Sequence, residues 1–254
     1  MLLAGKKGLV LNVVNKNSIG WAIAVAAAEQ GAEVGVGAQN ERMAESVQKL
    51  IADHPSMRVV TVDFTIDEEI DRLAEMVAQE MGKIDFLVHS AAFAKREDLQ
   101  DRFIQTSRDG FALALDISCY SLIRLCRALE PVMNDDGSVM ALSYLGATRA
   151  TQNYNVMGVA KAALESAVRY LAIDLGERGI RVNTLSPGPI NTVAARGVKD
   201  LTKMIDHVHA VSPLKRAFGQ QEVAGNAVYL MSDLSKGVTG QVIFIDNGYN
   251  AVTV

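Results

Sequence analysis

Tyr144, Tyr154 and Lys161 are the residues of this chain whose types and spacing could do chemistry together. Tyr154 and Lys161 stand seven positions apart, two turns of a helix, which puts both side chains on one face. A lysine beside a phenol favours the ionised or strongly donating form of that phenol. The donors of its ammonium also suit ribose hydroxyls. Such a pair makes an acid, or a donor to an oxygen gaining negative charge, beside a bound nicotinamide. On an arbitrary helix the same spacing is an amphipathic edge and nothing more. Position sets this pair apart, because it follows a candidate strand ending at Tyr144.

The elements that must hold these groups alternate along the whole chain. Apolar runs at Gly8–Val13, Glu33–Ala38, Arg58–Val62, Phe86–Ser90, Ser138–Tyr144, Arg181–Ser186 and Val242–Asp246 read as strands. Their apolarity is continuous rather than alternating, as in strands covered on both faces. Between them lie helical patterns at Ile19–Gln30, Glu41–Ala52, Asp67–Met81, Arg108–Val132, Tyr154–Leu175 and Gln221–Met231. Gly31, Gly82 and Gly179 fall just past helices, where a positive φ is wanted. Strand alternating with helix predicts an α/β fold: one doubly wound domain over residues 1–254, with about seven parallel strands and helices on both faces. Segment 191–213 follows the sixth strand with no strand partner of its own. Ligands in such sheets sit beyond the carboxyl ends of strands, so the segment reads as a lid; the alternative is an ordinary surface helical hairpin.

The loop after the first strand, "LNVVNKNSIG", opens a strand-loop-helix unit, yet Gly20 is its one glycine. Alone it would not justify a nucleotide site. Pro187-Gly188-Pro189, alone, is a turn signal.

At 254 residues, 49% hydrophobic and 21% charged, the chain has the composition of an ordinary globular domain. Its 25 basic and 29 acidic residues give a net charge of −4, with no global pull toward nucleic acid or membrane. Lys6-Lys7 before an apolar run has the order of a secretion signal, but Asn15-Lys16-Asn17 interrupts it and the run serves as a first strand. Cys119 and Cys126, too far apart along a helix to bridge, read as reduced thiols, so a cytoplasmic location is expected. His54, His89, His207 and His209 form no metal pattern, and no metal is expected.

Taken together, the motifs resemble the short-chain dehydrogenases/reductases, specifically their divergent enoyl-acyl-carrier-protein reductase branch. Classical members carry Tyr-x3-Lys with a serine 13 residues before the tyrosine; this chain has Ala141 there and no Tyr-x3-Lys. The divergent branch carries Tyr-x6-Lys and a second tyrosine ten residues upstream, matched by Tyr144, Tyr154 and Lys161. "SYLGATRA", "NYNVMGVAKAALE", "FLVHSAAFA", "LDISCYS", "PGPINTVAA" and "GQVIFIDNGY" resemble the same branch, in order and over essentially the whole chain.

The resemblance implies a Rossmann-like fold and NADH-dependent reduction of trans-2-enoyl thioesters in fatty acid synthesis. In the family's Gly-x5-Ser-Ile-Ala loop, Asn12 takes the first glycine's place, with Ser18 and Ile19 following. Asn tolerates left-handed angles best among non-glycine residues, so binding is expected to survive, with Ser18 and the first amides of the helix holding the pyrophosphate. By the same resemblance Gln39 contacts the adenosine ribose, Asp63 and Phe64 frame the adenine, and Ala91 touches the nucleoside. Ile190, Asn191, Thr192, Val193 and Ala194 bond the carboxamide and pyrophosphate. Ala94 touches substrate, and Met157 and Met204 line the acyl pocket. With no Arg or Lys between Gln39 and Arg42, NADPH is the less favoured donor. Acyl carrier protein, docking near Arg196, Lys199, Lys203, Lys215 and Arg216, and a homotetramer built through Arg108–Val132 and Tyr154–Leu175 are the implied partners. Two rivals stand: a ketoacyl or other carbonyl reductase of this fold, disfavoured by Ala141 and the wide Tyr/Lys gap, and a non-catalytic NAD(H) sensor.

Overall fold

The computed structural model describes residues 1–193 and 195–252; Ala194 lies outside them. The strands are β1 (Lys7–Leu11), β2 (Glu33–Ala38), β3 (Met57–Thr61), β4 (Ile84–His89), β5 (Met133–Leu142), β6 (Arg181–Pro187) and β7 (Val242–Ile245). The α-helices are α1 (Ile19–Glu29), α2 (Glu41–Leu50), α3 (Asp67–Met76), α4 (Arg96–Gln100), α5 (Arg108–Leu115), α6 (Ser121–Leu129), α7 (Asn155–Asp174), α8 (Leu201–Val211) and α9 (Gln220–Met231).

The strands make one seven-stranded sheet in the order β3-β2-β1-β4-β5-β6-β7, and every pairing is parallel. Side chains of a strand alternate between faces, and β1 shows the division. Val10 joins one buried cluster with Ile23 and Ala27 of α1, Val47 of α2 and Val223 and Ala227 of α9. Leu9 and Leu11 join the other, with Ile70 and Leu73 of α3, Leu122 and Leu125 of α6, and Leu164 and Val168 of α7. Both faces are therefore covered, which is why the strands lack a polar face. The order reverses direction between β1 and β4, and α/β sheets open a ligand crevice at such a reversal.

Several boundaries differ from the sequence expectation. The long helix over 108–132 is interrupted by a π-helical turn at Asp116–Tyr120. Periodicity missed this turn because its cause is tertiary. Ser118 Oγ accepts the Phe93 amide at 3.1 Å, and Ser121 Oγ lies 2.7 Å from His89 Nε2. A second π-helical turn, Val77–Met81, ends the helical run begun by α3. β5 starts at Met133 rather than Ser138, because Met133 pairs with Ile84 before the register shifts. Gly31, Gly82 and Gly179 all take positive φ, as their positions after helices require. Cys119 and Cys126 are free and buried.

Candidate active site

A cavity of about 530 Å³ lies at the carboxyl ends of β1, β4, β5 and β6. Its wall takes in Asn12, Ser18, Ile19, Ala91, Ala94, Tyr144, Tyr154, Met157, Lys161, Ile190, Thr192, Val193 and Met204. Residues scattered along the sequence are thus gathered into one chamber.

The first loop explains how it does without its glycine. Asn12 sits at φ 64°, the left-handed conformation that asparagine tolerates best. Its amide reaches Ser90 O at 3.4 Å, and Ser90 Oγ donates to Leu11 O at 2.5 Å. A Cβ on Gly20 would come within 2.8 Å of Ser90 Oγ, so that side chain would have to turn to admit one. Ser18 Oγ accepts the amides of Val14 and Asn15 at 3.2 and 3.0 Å. Its oxygen therefore closes the loop, while its hydroxyl hydrogen is left to donate into the cavity. It does not cap α1, so the first amides of that helix face the same space unsatisfied. Ser90 was not singled out from sequence, although a polar residue ending an apolar strand beside this loop was its visible signal.

Tyr154 begins α7, and Lys161 projects two turns later into the same cavity. Their relation corrects the simplest expectation. Lys161 does not pair with the phenol: its Nζ donates to Leu142 O at 2.6 Å and Ala91 O at 3.4 Å, bridging the ends of β5 and β4. Burial pulls the Lys161 pKa down to about 8, against the raising pull of Cys119 and Glu165. Burial, reinforced by Tyr144, drives the Tyr154 pKa strongly upward. The phenol is therefore a neutral hydrogen-bond donor rather than a phenolate. Low local dielectric, not the lysine, sets the state of the phenol.

The two tyrosine rings lie 4.7 Å apart, tilted by 59°. Tyr144 OH donates to Met204 Sδ of α8 at 3.2 Å, and burial lifts its pKa to about 12. Gly146 makes the ring pair possible, since a Cβ there would meet the Tyr154 ring at 2.6 Å and the Tyr144 ring at 3.2 Å. Met157, buried with Leu99 and Ala160, packs against Ala92, Ala94 and Tyr154 as an apolar wall.

Not every expected residue borders this chamber. Gln39 and Asp63 stand past the ends of β2 and β3, joined by a 3.1 Å bond from the Gln39 amide to the Asp63 carboxylate. Although burial raises the Asp63 pKa, bonds from Thr65 and Gln39 outweigh it and leave the group a carboxylate. Phe64 packs against the ring of His89. Asn191 Oδ1 accepts from Arg196 Nε at 3.3 Å, on the rim. Of the histidines, His89 is fully buried, and burial followed by the Lys161 charge lowers its pKa to about 3. His54, His207 and His209 each meet an aromatic ring edge-on: Trp21, Tyr249 and Phe218. Among the described residues no cluster of His, Cys, Asp or Glu could hold a metal ion.

A parallel sheet with its crevice at the β1/β4 reversal, and a neutral phenol and a buried ammonium inside it, define a short-chain dehydrogenase/reductase. The profile described as enoyl-(acyl carrier protein) reductase matches residues 13–250, and the chain belongs to that family. It is 45% identical over 251 residues to the NADH enoyl-acyl-carrier-protein reductase 1 of Rhizobium meliloti, covering 99% of this chain and 92% of that one. The NADH enzyme of Rickettsia felis is 45% identical over 98% of this chain and 96% of its own. The Bacillus cereus enoyl-acyl carrier protein reductase, solved with NADP+ and indole naphthyridinone, superposes with a TM-score of 0.97 at 44% identity, covering 100% of this chain and 99% of that one. The Anaplasma phagocytophilum enzyme, solved with NAD, gives 0.96 at 40%, covering 100% and 97%.

Proposed function

We propose that the protein is an NADH-dependent enoyl-acyl-carrier-protein reductase, saturating the trans-2 double bond of enoyl thioesters in fatty acid synthesis. The observation that carries this reading is the neutral, buried Tyr154 beside Lys161 in one cavity with the β1–α1 loop. When bound, NADH supplies a hydride to C3 of the enoyl group. The residues present fit it. The left-handed turn at Asn12 and the free amides opening α1 suit a pyrophosphate. Lys161 suits the nicotinamide ribose, keeping its β4 and β5 carbonyl bonds on one side of the ammonium. Ile190, Asn191, Thr192, Val193 and Ala194 would hold the carboxamide side; Thr192 Oγ1 already accepts the Ala195 amide at 3.1 Å, leaving its hydrogen to donate. The Asp63 carboxylate beside Gln39 would repel a 2′-phosphate, which favours NADH over NADPH.

Tyr154 acts on the substrate. As C3 gains hydride, negative charge moves onto the thioester oxygen, and the phenol donates a hydrogen bond there. A phenol whose pKa is raised keeps its proton and serves as a donor throughout. A proton taken up from solvent at C2 then completes the saturated product. Tyr144 and Met204 close the acyl pocket, with Ala94 and Met157 as its walls, and segment 191–213 is its lid. The enoyl chain arrives on acyl carrier protein. Arg196 and Lys199 at the lid's start, with Arg216, are the cations it would meet, while Lys203 is held by Asp200 at 2.9 Å and Lys215 by Ala210 O at 2.6 Å. The chain works as a homotetramer in the cytoplasm, each copy a single domain. Among the described residues no helix is long and apolar enough to cross a membrane.

The test is oxidation of NADH and of NADPH by purified protein with crotonyl-CoA, a trans-2-enoyl acyl carrier protein or acetoacetyl-CoA. Turnover confined to the enoyl substrates, faster with NADH, is expected. Turnover confined to acetoacetyl-CoA would transfer the chemistry to carbonyl reduction.

A further inference from the structure

Tyr154 stands between two asparagines that both occupy strained backbone. Asn153 has φ 62° and Asn155 φ 35°. Glycine would meet those angles at lower cost, so the backbone alone does not explain asparagine at either place. The side chains do. Asn153 Nδ2 donates to Lys199 O at 3.1 Å, immediately ahead of the left-handed Asp200 that starts α8. Asn155 Nδ2 donates to Leu99 O at 3.0 Å and Asp101 O at 2.6 Å, at the end of α4. Leu99 lines one side of the cavity and Val198 and Leu201 another. The walls belong to segments 54 to 56 and 46 residues away in sequence.

We propose that Asn153 and Asn155 are positioning residues that fasten both walls of the acyl pocket to the backbone on either side of Tyr154. Each bond comes from a neutral amide to a main-chain carbonyl, so it fixes the place of the wall whatever side chain the wall carries. The acyl chain then enters a slot whose two sides keep register with the phenol. The cofactor contacts are made by other residues, on the β1–α1 loop, at Lys161 and directly after β6. The asparagines therefore set affinity for the enoyl chain and leave affinity for NADH alone. This rests on the reading that the pocket receives an enoyl thioester.

The variants to make are Asn153→Gly and Asn155→Gly, which delete the amide while relieving the backbone, and Asn153→Asp, which keeps the shape but turns an acceptor toward Lys199 O. Four quantities are read: KM and kcat with a medium-chain trans-2-enoyl-CoA, the Kd for NADH by fluorescence, and amide hydrogen exchange of residues 96–101 and 195–211. The expected result is a KM for the enoyl substrate raised roughly fivefold in Asn153→Gly and roughly 25-fold in Asn155→Gly, the worth of one and of two net hydrogen bonds, with NADH affinity unchanged. Exchange should quicken only in 195–211 for the Asn153 variants and only in 96–101 for Asn155→Gly. Unchanged exchange overturns the ties, and quickened exchange with unaltered KM overturns the positioning role. If the wild-type chain is inactive on enoyl thioesters, the functional reading fails, while the exchange data still decide whether the amides hold the walls.

Discussion

At the scale of single residues the site separates two jobs that a Tyr/Lys pair could have shared. Lys161 is turned to the carbonyls of Leu142 and Ala91, and Tyr154 is a buried, protonated donor. Removing the hydroxyl in Tyr154→Phe should therefore lower kcat on the order of 10²–10³-fold, the range seen when an oxyanion donor is lost. NADH affinity should stay as it is. Wild-type turnover by Tyr154→Phe would refute the oxyanion role. Lys161 carries a pH prediction. Its pKa of about 8 means that the ammonium is charged below that pH and neutral above it. NADH is anionic throughout, so its affinity should be greatest below about pH 8 and weaken as pH rises through that value. Measuring the Kd by fluorescence from about pH 6 to about pH 10 checks the sign, and in Lys161→Met the pH step should vanish.

At the scale of elements, much was legible. Continuous apolar strands and helix-ending glycines marked seven strands and their order along the chain. The loop at Asn12 was legible because asparagine's tolerance of positive φ is a property of the residue itself. What stayed hidden was set by partners distant in sequence. The π-helical turn at Asp116–Tyr120 follows from Ser118 meeting Phe93 and Ser121 meeting His89, and no local pattern encodes those meetings. The direction of Lys161 and the grasp of Asn153 on Lys199 are hidden for the same reason. Gly146 belongs to this class too, as an unremarkable glycine in sequence that proves to be the space between two rings. Gly146→Ala should displace the Tyr154 ring, because a Cβ would stand 2.6 Å from it. A shift of that kind costs up to about 10²-fold in rate, while NADH, held by other residues, should bind normally. Steady-state kinetics beside a binding titration would show it, and an active Gly146→Ala would mean the ring has room to move.

At the scale of the whole molecule, apolar surface is left on the helices that cover one face of the sheet. Tyr170 and Ile173 of α7 are 70% and 71% exposed, and three residues apart they share a helix face. Ala112, Leu115, Tyr120 and Ile123 line a shallow depression over α5, the π-helical turn and α6. Apolar surface of this sort is what assembly covers. The native mass by light scattering should be a multiple of the 27.3 kDa chain, and Ile173→Glu with Tyr170→Lys should lower it; an unchanged mass would place the interface elsewhere. The order β3-β2-β1-β4 has one more consequence, for how the protein is made. Of the seven strands β1 is made before the others, yet it is an inner one, and its partners on β4 lie 78 residues further along the chain. Parallel pairings with such separations are slow to close. The cofactor contacts read from the cavity run from Asn12 to Val193, so the nucleotide site is complete only once β6 is made, and NADH can stabilise only a chain that has nearly all of its sheet.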